Sequence, residues 1–260
     1  MPEACNVCIG IDVACAKRKR LPVCFVADDA SSGQPLRVLT LPKAIARCIP
    51  RGVGNRAILD ETPFRRLADE TAEAIAEIAD CMGWSIRRIA IDAPAAPPTE
   101  GTRSCEVELG RNGLSVFQTP AIAEWQVIHV KCAEHLRSGR SLVTLPNANR
   151  IWMLFGFELF ASLHARVKAE IIGIYPHSIV RALLADCGHK TTPEGLISQL
   201  GAIAHRTGWH PDELEAALAK AVPGSRHDRL DAAWVASWPA DGRRAYGNPM
   251  TPDDAIWVPR

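Results

Sequence analysis

The sequence predicts an α/β fold in which a sheet is flanked by helices. Segments rich in β-branched and apolar residues come first, at residues 6–14, 21–28 and 35–42, and are typical of three strands in a meander. Residues 62–82 then carry apolar side chains at the three- and four-residue spacing of an amphipathic helix. A further short apolar strand follows at residues 85–91, so a strand-rich beginning gives way to an alternating α/β order.

The first two strands are joined by a short basic link, which predicts a hairpin. The link contains the run from Lys17 to Arg20, and we interpret it as a solvated hairpin tip. A patch that contacts phosphate groups is the alternative interpretation. The third strand follows a turn of sequence SSGQ.

The first long helix has recognisable boundaries. Thr62 is a suitable cap, Pro63 occupies the first helical position, and Gly83 lies just past the end. The strand after it ends at Asp92 and runs into a Pro-rich loop, so a carboxylate stands where the chain leaves the predicted sheet. Such a carboxylate is costly to desolvate unless it is paired, protonated or bound to a metal.

The second half of the chain is mainly helical. Helical patterns extend over residues 104–166, and the most apolar part, Trp152 to Leu163, predicts either packing inside the molecule or the face of a homodimer. A fifth strand is predicted at residues 169–176, and the tail DAIWVP is compatible with a short edge strand. The remaining predicted helices cover residues 193–208, 211–220 and 226–238.

Composition is ordinary for a globular protein. The chain has 260 residues, of which 47% are hydrophobic and 23% charged, and no apolar run is long enough for a membrane span. We predict one domain over residues 1–260. A net charge of +1 means that any binding of nucleic acid needs a local basic face. The nine scattered cysteines and the absence of a signal-like start favour a reducing, cytoplasmic location.

Four aspartates are the candidate catalytic residues. Asp12 lies in the first strand, Asp92 ends the fourth, and Asp228 and Asp231 are one turn apart on a late helix. Each has an ordinary alternative: a salt bridge for Asp12, a turn for Asp92, or a capping box with Ser225 for Asp228. Together they predict a cluster of like charges that favours Mg²⁺ or Mn²⁺, the ions used in hydrolysis of phosphodiesters.

The motifs resemble those of a known fold and family. The strand order, the GIDVA and IDAP segments and the D-x-x-D-A helix look like the ribonuclease-H-like fold, and the last is also similar to that of Holliday-junction resolvases. More narrowly, the sequence resembles the predicted nucleases of domain-of-unknown-function family 429. The residues that carry this resemblance are Asp12, Asp92, Arg103, Glu106, Tyr175, Pro176, Lys190, Gly195, Asp228 and Asp231.

The resemblance implies a fold and a metal site. The fold is a mixed five-stranded sheet flanked by helices, with the fourth strand parallel to the first and a helical insertion at about residues 104–166. The activity implied is a metal-dependent nuclease acting on DNA or RNA. Asp12, Asp92 and Asp231 would hold Mg²⁺ or Mn²⁺, and Asp228 would be a neighbouring catalytic partner.

Three further residues are implied to bind the substrate. Arg103 and Lys190 would meet phosphate oxygens as charged donors. Glu106 would orient a metal-bound water or pair with Arg103. A surface ion pair between Arg103 and Glu106 is the ordinary alternative.

One position departs from the family pattern, and two other functions stay open. The family usually carries a glutamate two residues before the tyrosine of the YP segment, where this chain has Gly173, so the resemblance implies that a carboxylate of the metal site is missing. Gly173 and the near-neutral charge favour a non-catalytic binding protein derived from a nuclease. A phosphoryl transferase of the sugar-kinase and actin type is the second alternative, although the chain is short for the two domains such an enzyme needs.

Overall fold

The computed structural model describes residues 5–13, 16–27, 37–60, 62–114, 117–184, 188, 192–236, 243–251 and 254–259. Its central sheet contains the strands β1 (Cys5–Asp12), β2 (Val23–Ala27), β3 (Arg37–Leu39), β4 (Trp84–Asp92) and β5 (Glu170–Gly173). Their order is β3-β2-β1-β4-β5. Strand β2 is antiparallel to β1 and β3, whereas β4 runs parallel to β1 and β5 parallel to β4. This mixed five-stranded sheet is the predicted one and is consistent with a ribonuclease-H-like fold.

The helices of the described chain are α1 (Lys43–Ala46), α2 (Thr62–Met82), α3 (Ser104–Arg111), α4 (Ile122–Arg137), α5 (Trp152–Arg166), α6 (Pro176–Leu183), α7 (Pro193–Thr207), α8 (Pro211–Ala221) and α9 (Arg226–Ala236). The helices predicted in the second half are all present, and the long helical region resolves into α3, α4 and α5. The short helices α1 and α6 were not predicted, because four and eight residues carry too little periodicity to be recognised.

The start of α2 differs from its prediction in one detail. The backbone N–H of Thr62 donates to the carboxylate of Asp60 at 3.0 Å, so Asp60 supplies the side-chain acceptor at this helix start. At the other end, Gly83 adopts the left-handed conformation (φ 67°) that ends a helix at little cost. The predicted glycine stop is therefore confirmed.

Two hydrophobic layers sandwich the sheet. On one face, Ile9, Ile11, Ile89 and Ile91 pack against α2 and α5. On the other face, side chains that include Cys24, Val26, Ala90 and Ile172 pack beneath α9, with α6, α7 and α8 completing this layer. Side chains alternate between these faces along each strand, and this alternation decides which residues reach the candidate site.

The apolar helix α5 is buried within the chain. It packs against α2, and its buried residues are Met153, Phe155, Gly156, Leu159, Phe160, Ser162 and Leu163. The close approach to the sheet depends on Gly156, because a Cβ there would lie 2.6 Å from the Cβ of Ala93. Packing within the chain therefore accounts for the apolar character that also suggested a dimer face.

The C-terminal segment forms a hairpin beside β5. Strands β6 (Arg243–Gly247) and β7 (Ala255–Pro259) are antiparallel, and Trp257 makes a single parallel bridge with Ile174. Glu170 at the start of β5 accepts hydrogen bonds from Arg88, at 2.8 Å, and from Arg243. Burial raises the pKa of Glu170, but these two arginines outweigh it and hold the pKa below its usual range.

Across the described ranges, no helix combines the length and apolar character needed to cross a membrane.

Candidate functional site

Two of the predicted aspartates are neighbours at the carboxyl ends of parallel strands. Asp12 is the last residue of β1 and Asp92 the last of β4, and they are direct register partners. Partners in a parallel pair project from the same face, so both carboxylates point towards the layer that contains α9. The hairpin after β1 closes at the same place, where the N–H of Asp12 donates to the carbonyl of Pro22 at 3.1 Å.

Helix α9 brings the third carboxylate. It packs against β1, β2 and β4, and Asp231 on it is only 3% exposed. Asp12, Asp92 and Asp231 each offer a carboxylate oxygen, and these three oxygens lie within 4.8 Å of one another. The predicted convergence of the three residues, which are far apart in sequence, is therefore present in the structure.

The pKa of Tyr175 is affected by the charges of this cluster. Burial raises the pKa of its phenol above the usual range, and the negative charges of Asp92 and Asp231 raise it further. The phenol is thus held in its protonated form, in which the hydroxyl is able to donate a hydrogen bond. The tyrosine of the YP segment therefore lies within the field of the carboxylates.

Asp228 has a different environment from Asp231. Its Oδ2 accepts from the backbone N–H of Ser225 at 2.9 Å, and its own N–H faces the Ser225 hydroxyl at 3.4 Å. This reciprocal pattern is a capping box at the start of α9. The ring of His227 also lies 3.0 Å from Oδ1 of Asp228. Asp228 is outside the three-carboxylate cluster, so its catalytic role stays a prediction while its capping role is visible.

A cleft of about 270 Å³ extends from Asp92 and is lined by the start of α3. Arg103 and Glu106 both line it, are 4% and 5% exposed, and approach each other to 3.5 Å. The N–H of Thr119 donates to both oxygens of Glu106, at 3.0 and 3.2 Å, and the Thr119 hydroxyl also bonds to it. Arg103 and Glu106 thus form a buried ion pair beside Asp92 rather than a pair on the surface.

Aromatic side chains also line this cleft. Phe117, Trp152 and Tyr175 all line it together with Asp92. Sequence reasoning missed Phe117 and assigned Trp152 to internal packing or a homodimer face, because neither belongs to a motif with the aspartates. Their position follows from the helical insertion, which returns to the sheet edge at β5.

One family model matches most of the chain. The model of the family described as "Protein of unknown function (DUF429)" matches residues 10–255, nearly the whole chain. The chain belongs to the DUF429 family. No curated protein and no solved structure gives a significant match.

Gly173 of this DUF429 protein faces away from the aspartates. It is the register partner of Ile91, one residue before Asp92, and therefore lies on the face covered by α5. A Cβ at this position would lie 3.2 Å from the carbonyl oxygen of Ala93 and 3.6 Å from Cζ of Phe160. The expectation that Gly173 removes a carboxylate from the metal site is therefore wrong for this structure.

The C-terminal hairpin contacts the first turn of α3, which contains Glu106 and directly follows Arg103. Asp254 accepts hydrogen bonds from the hydroxyl of Ser104 and from the N–H of Cys105, the latter at 3.2 Å. It therefore satisfies donors in the first turn of α3. Lys190, the second predicted phosphate ligand of the DUF429 protein, lies outside the described residues.

Proposed function

We propose that this DUF429 protein is a nuclease that uses Mg²⁺ or Mn²⁺ to hydrolyse phosphodiester bonds of nucleic acid. The observation that carries the proposal is the convergence of Asp12, Asp92 and Asp231, whose carboxylate oxygens lie within 4.8 Å of one another. Three separate elements, β1, β4 and α9, each contribute one of these residues at one end of the sheet. A packing requirement alone does not call for three like charges at one point.

The donor set fits a hard divalent cation. Carboxylate oxygens are the ligands that Mg²⁺ and Mn²⁺ prefer, and three ionised groups this close repel one another unless a cation offsets their charge. The cost is greatest for Asp231, which is almost fully buried. The three aspartates would hold the cation, which supplies an activated water and charge stabilisation for hydrolysis of a phosphodiester.

Basic residues at the same end of the sheet supply contacts for the phosphate backbone. Lys17, Arg18 and Lys19 are exposed on the hairpin that directly follows Asp12, so they lie at the same end of the sheet as the carboxylates. Arg103 lines the cleft that begins at Asp92. This placement favours the alternative interpretation of the basic run, contact with phosphate groups, and meets the need for a local basic face on a nearly neutral protein.

A cleavage assay with matched variants tests the proposal. Labelled single-stranded, duplex and branched DNA and RNA are incubated with the wild type in Mg²⁺, in Mn²⁺ and in EDTA. We expect cleavage in the two metals and none in EDTA. Asp231→Asn, which changes one carboxylate of the cluster with little change of shape, should lower the rate at least about 100-fold, as expected when a group that stabilises charge in the transition state is lost.

Glu134→Gln is the control. It changes an exposed carboxylate of α4 that lies outside the cluster, so we expect it to retain the cleavage activity. Mn²⁺ binding followed by electron paramagnetic resonance gives a second measurement, with weaker binding expected only for Asp231→Asn. Absence of cleavage together with absence of Mn²⁺ binding by the wild type would overturn the proposal.

A further inference from the structure

The aromatic wall of the cleft, formed by Phe117, Trp152 and Tyr175, has an open geometry. The Phe117 ring lies 6.3 Å from that of Trp152 and 5.8 Å from that of Tyr175, with interplanar angles of 70° and 75°. Both contacts are therefore edge-type, and neither neighbour stacks flat on Phe117. Phe117 is also 48% exposed, although a large apolar side chain is usually buried.

The wall is held in a fixed orientation. The indole N–H of Trp152 donates to the carbonyl of Asn149 at 2.7 Å, which ties this ring to the backbone at the start of α5. Tyr175 stands directly before Pro176, at the point where β5 gives way to α6, and its ring also meets His177 edge-on at 6.2 Å. Phe117 contacts both of these rings edge-on, which limits the freedom that its own ring loses when a flat ligand stacks on it.

The wall is continuous with the carboxylate cluster. Asp92 lines the same cleft as the three aromatic residues, and the charges of Asp92 and Asp231 act on Tyr175. A ligand whose planar ring rests on Phe117 would therefore have its adjoining groups next to the carboxylates. Nucleotides combine a planar base with a phosphodiester, so they match both parts of this surface.

We propose that the cleft binds a single unstacked nucleobase against Phe117, and that the substrate is therefore single-stranded or carries an extruded nucleotide. This inference rests on the proposed nuclease function and defines its substrate class. A base within a duplex keeps both faces stacked and would have to leave the helix first.

Binding of fluorescein-labelled oligonucleotides, followed by anisotropy in Ca²⁺, tests the proposal, with the integrity of each oligonucleotide checked on a gel. We expect the wild type to bind single strands more tightly than the matching duplex. Phe117→Leu keeps an apolar side chain without the ring and should weaken binding of single strands about 5- to 150-fold, the range expected for one stacked base. Phe117→Tyr keeps the ring and should bind within about twofold of the wild type.

Two further comparisons make the result specific. Val130→Ala, at a half-exposed apolar residue on α4, should leave binding unchanged. Abasic positions in the oligonucleotide should weaken its binding to the wild type but not to Phe117→Leu. If Phe117→Leu folds poorly, the comparison of intact and abasic oligonucleotides with the wild type alone tests the same contact. The contribution of stacking appears only where both the ring and the base are present.

The outcomes separate this inference from the proposed function. Single-strand binding that is equal for the wild type, Phe117→Leu and abasic oligonucleotides would overturn the stacking proposal, while metal-dependent cleavage would still support the nuclease. Tighter binding of duplex than of single strands would overturn it as well. If the wild type neither binds nor cleaves any nucleic acid, both proposals are wrong.

Discussion

Asp12 and Asp92 are register partners on the parallel strands β1 and β4, so their carboxylates leave the sheet side by side. Asp231 approaches from α9, and oxygens of the three residues lie within 4.8 Å of one another. Two carboxylates fixed by backbone register have little freedom to move apart. The free energy of the folded, metal-free protein therefore contains their mutual repulsion.

Neutralising one member of this pair should relieve the repulsion. We expect Asp12→Asn to leave the melting temperature of the metal-free protein unchanged or to raise it. Saturating Mg²⁺ should stabilise the wild type by mass action, by about 2.7 kcal/mol at a hundred times its dissociation constant, and the variant by less. Thermal melts in EDTA and across a Mg²⁺ series measure both effects.

Asp228→Asn is the control for this experiment. It removes a charged acceptor at the start of α9, so it should lower stability, by up to about 1 kcal/mol, both with and without Mg²⁺. Its Mg²⁺-dependent gain should equal that of the wild type. An Asp12→Asn protein that melts far lower in EDTA would show instead that Asp12 stabilises the fold through an ion pair.

Gly173→Glu should destabilise the protein without improving the metal site. A Cβ at residue 173 would lie 3.2 Å from the carbonyl oxygen of Ala93 and 3.4 Å from that of Ala255. The added side chain would thus start close to two carbonyl oxygens, on the face away from Asp92. We expect a loss of about 1–3 kcal/mol in urea unfolding, as for other overpacked positions, with the affinity for Mn²⁺ unchanged.

Gly173→Ala separates the two causes of that loss. It adds the Cβ but no charge, so it should destabilise less than Gly173→Glu. Tighter binding of Mn²⁺ by Gly173→Glu would mean that the glutamate does reach the aspartate cluster. In that case the face assigned to residue 173 from its pairing with Ile91 is wrong.

The difference between these aspartates and Gly173 shows what the sequence is able to predict. Asp12 and Asp92 end apolar runs, and the ends of neighbouring parallel strands meet at one edge of a sheet, so their convergence follows from pattern and fold. The face that residue 173 occupies depends on the register of β5 with β4, and a shift of one residue reverses it. Nothing in the local sequence of so short a strand fixes that register.

Phe117 could not have been assigned to the site for a related reason. It lies in a loop after α3, without periodicity or a recognisable motif, and its neighbours Trp152 and Tyr175 are 35 and 58 residues further along the chain. Only the folding of the insertion back onto β5 brings the three rings together. The pairing of Arg103 with Glu106 was within reach of the sequence, because Arg103 directly precedes α3 and Glu106 lies one turn further along. The burial of the pair was not predicted.

Removing the basic residues next to Asp12 should weaken binding of nucleic acid in a salt-dependent way. We expect Lys17→Ala and Lys19→Ala combined to lower affinity for single strands and to reduce the slope of log K against log salt by about 0.7 for each phosphate that is no longer neutralised. Anisotropy titrations at several salt concentrations measure the slope. Lys131→Ala, at an exposed lysine on α4, should leave the slope unchanged. If the double variant also has the slope of the wild type, the basic run is a solvated hairpin tip and does not contact phosphate.

The ionisation of Glu106 should make stability fall as pH rises. Burial raises the pKa of Glu106 above its ordinary value of 4.5, although the hydrogen bonds from Thr119 and the charge of Arg103 act in the opposite direction. Between the ordinary and the raised pKa, the folded protein binds more protons than the unfolded chain. The free energy of unfolding therefore decreases as pH increases through this interval and levels off above the raised pKa.

Glu106→Gln should lack this part of the pH dependence, because the amide remains neutral and can still accept from Thr119. We therefore expect the wild type to lose stability relative to Glu106→Gln as pH increases from about 4 to about 8, as measured by urea unfolding at each pH. Glu134→Gln, at an exposed glutamate of α4, gives the background. A wild type that gains stability relative to Glu106→Gln over the same range would mean that the ion pair with Arg103 outweighs burial. The pKa of Glu106 would then lie below its ordinary value, and the pair would be held together by charge.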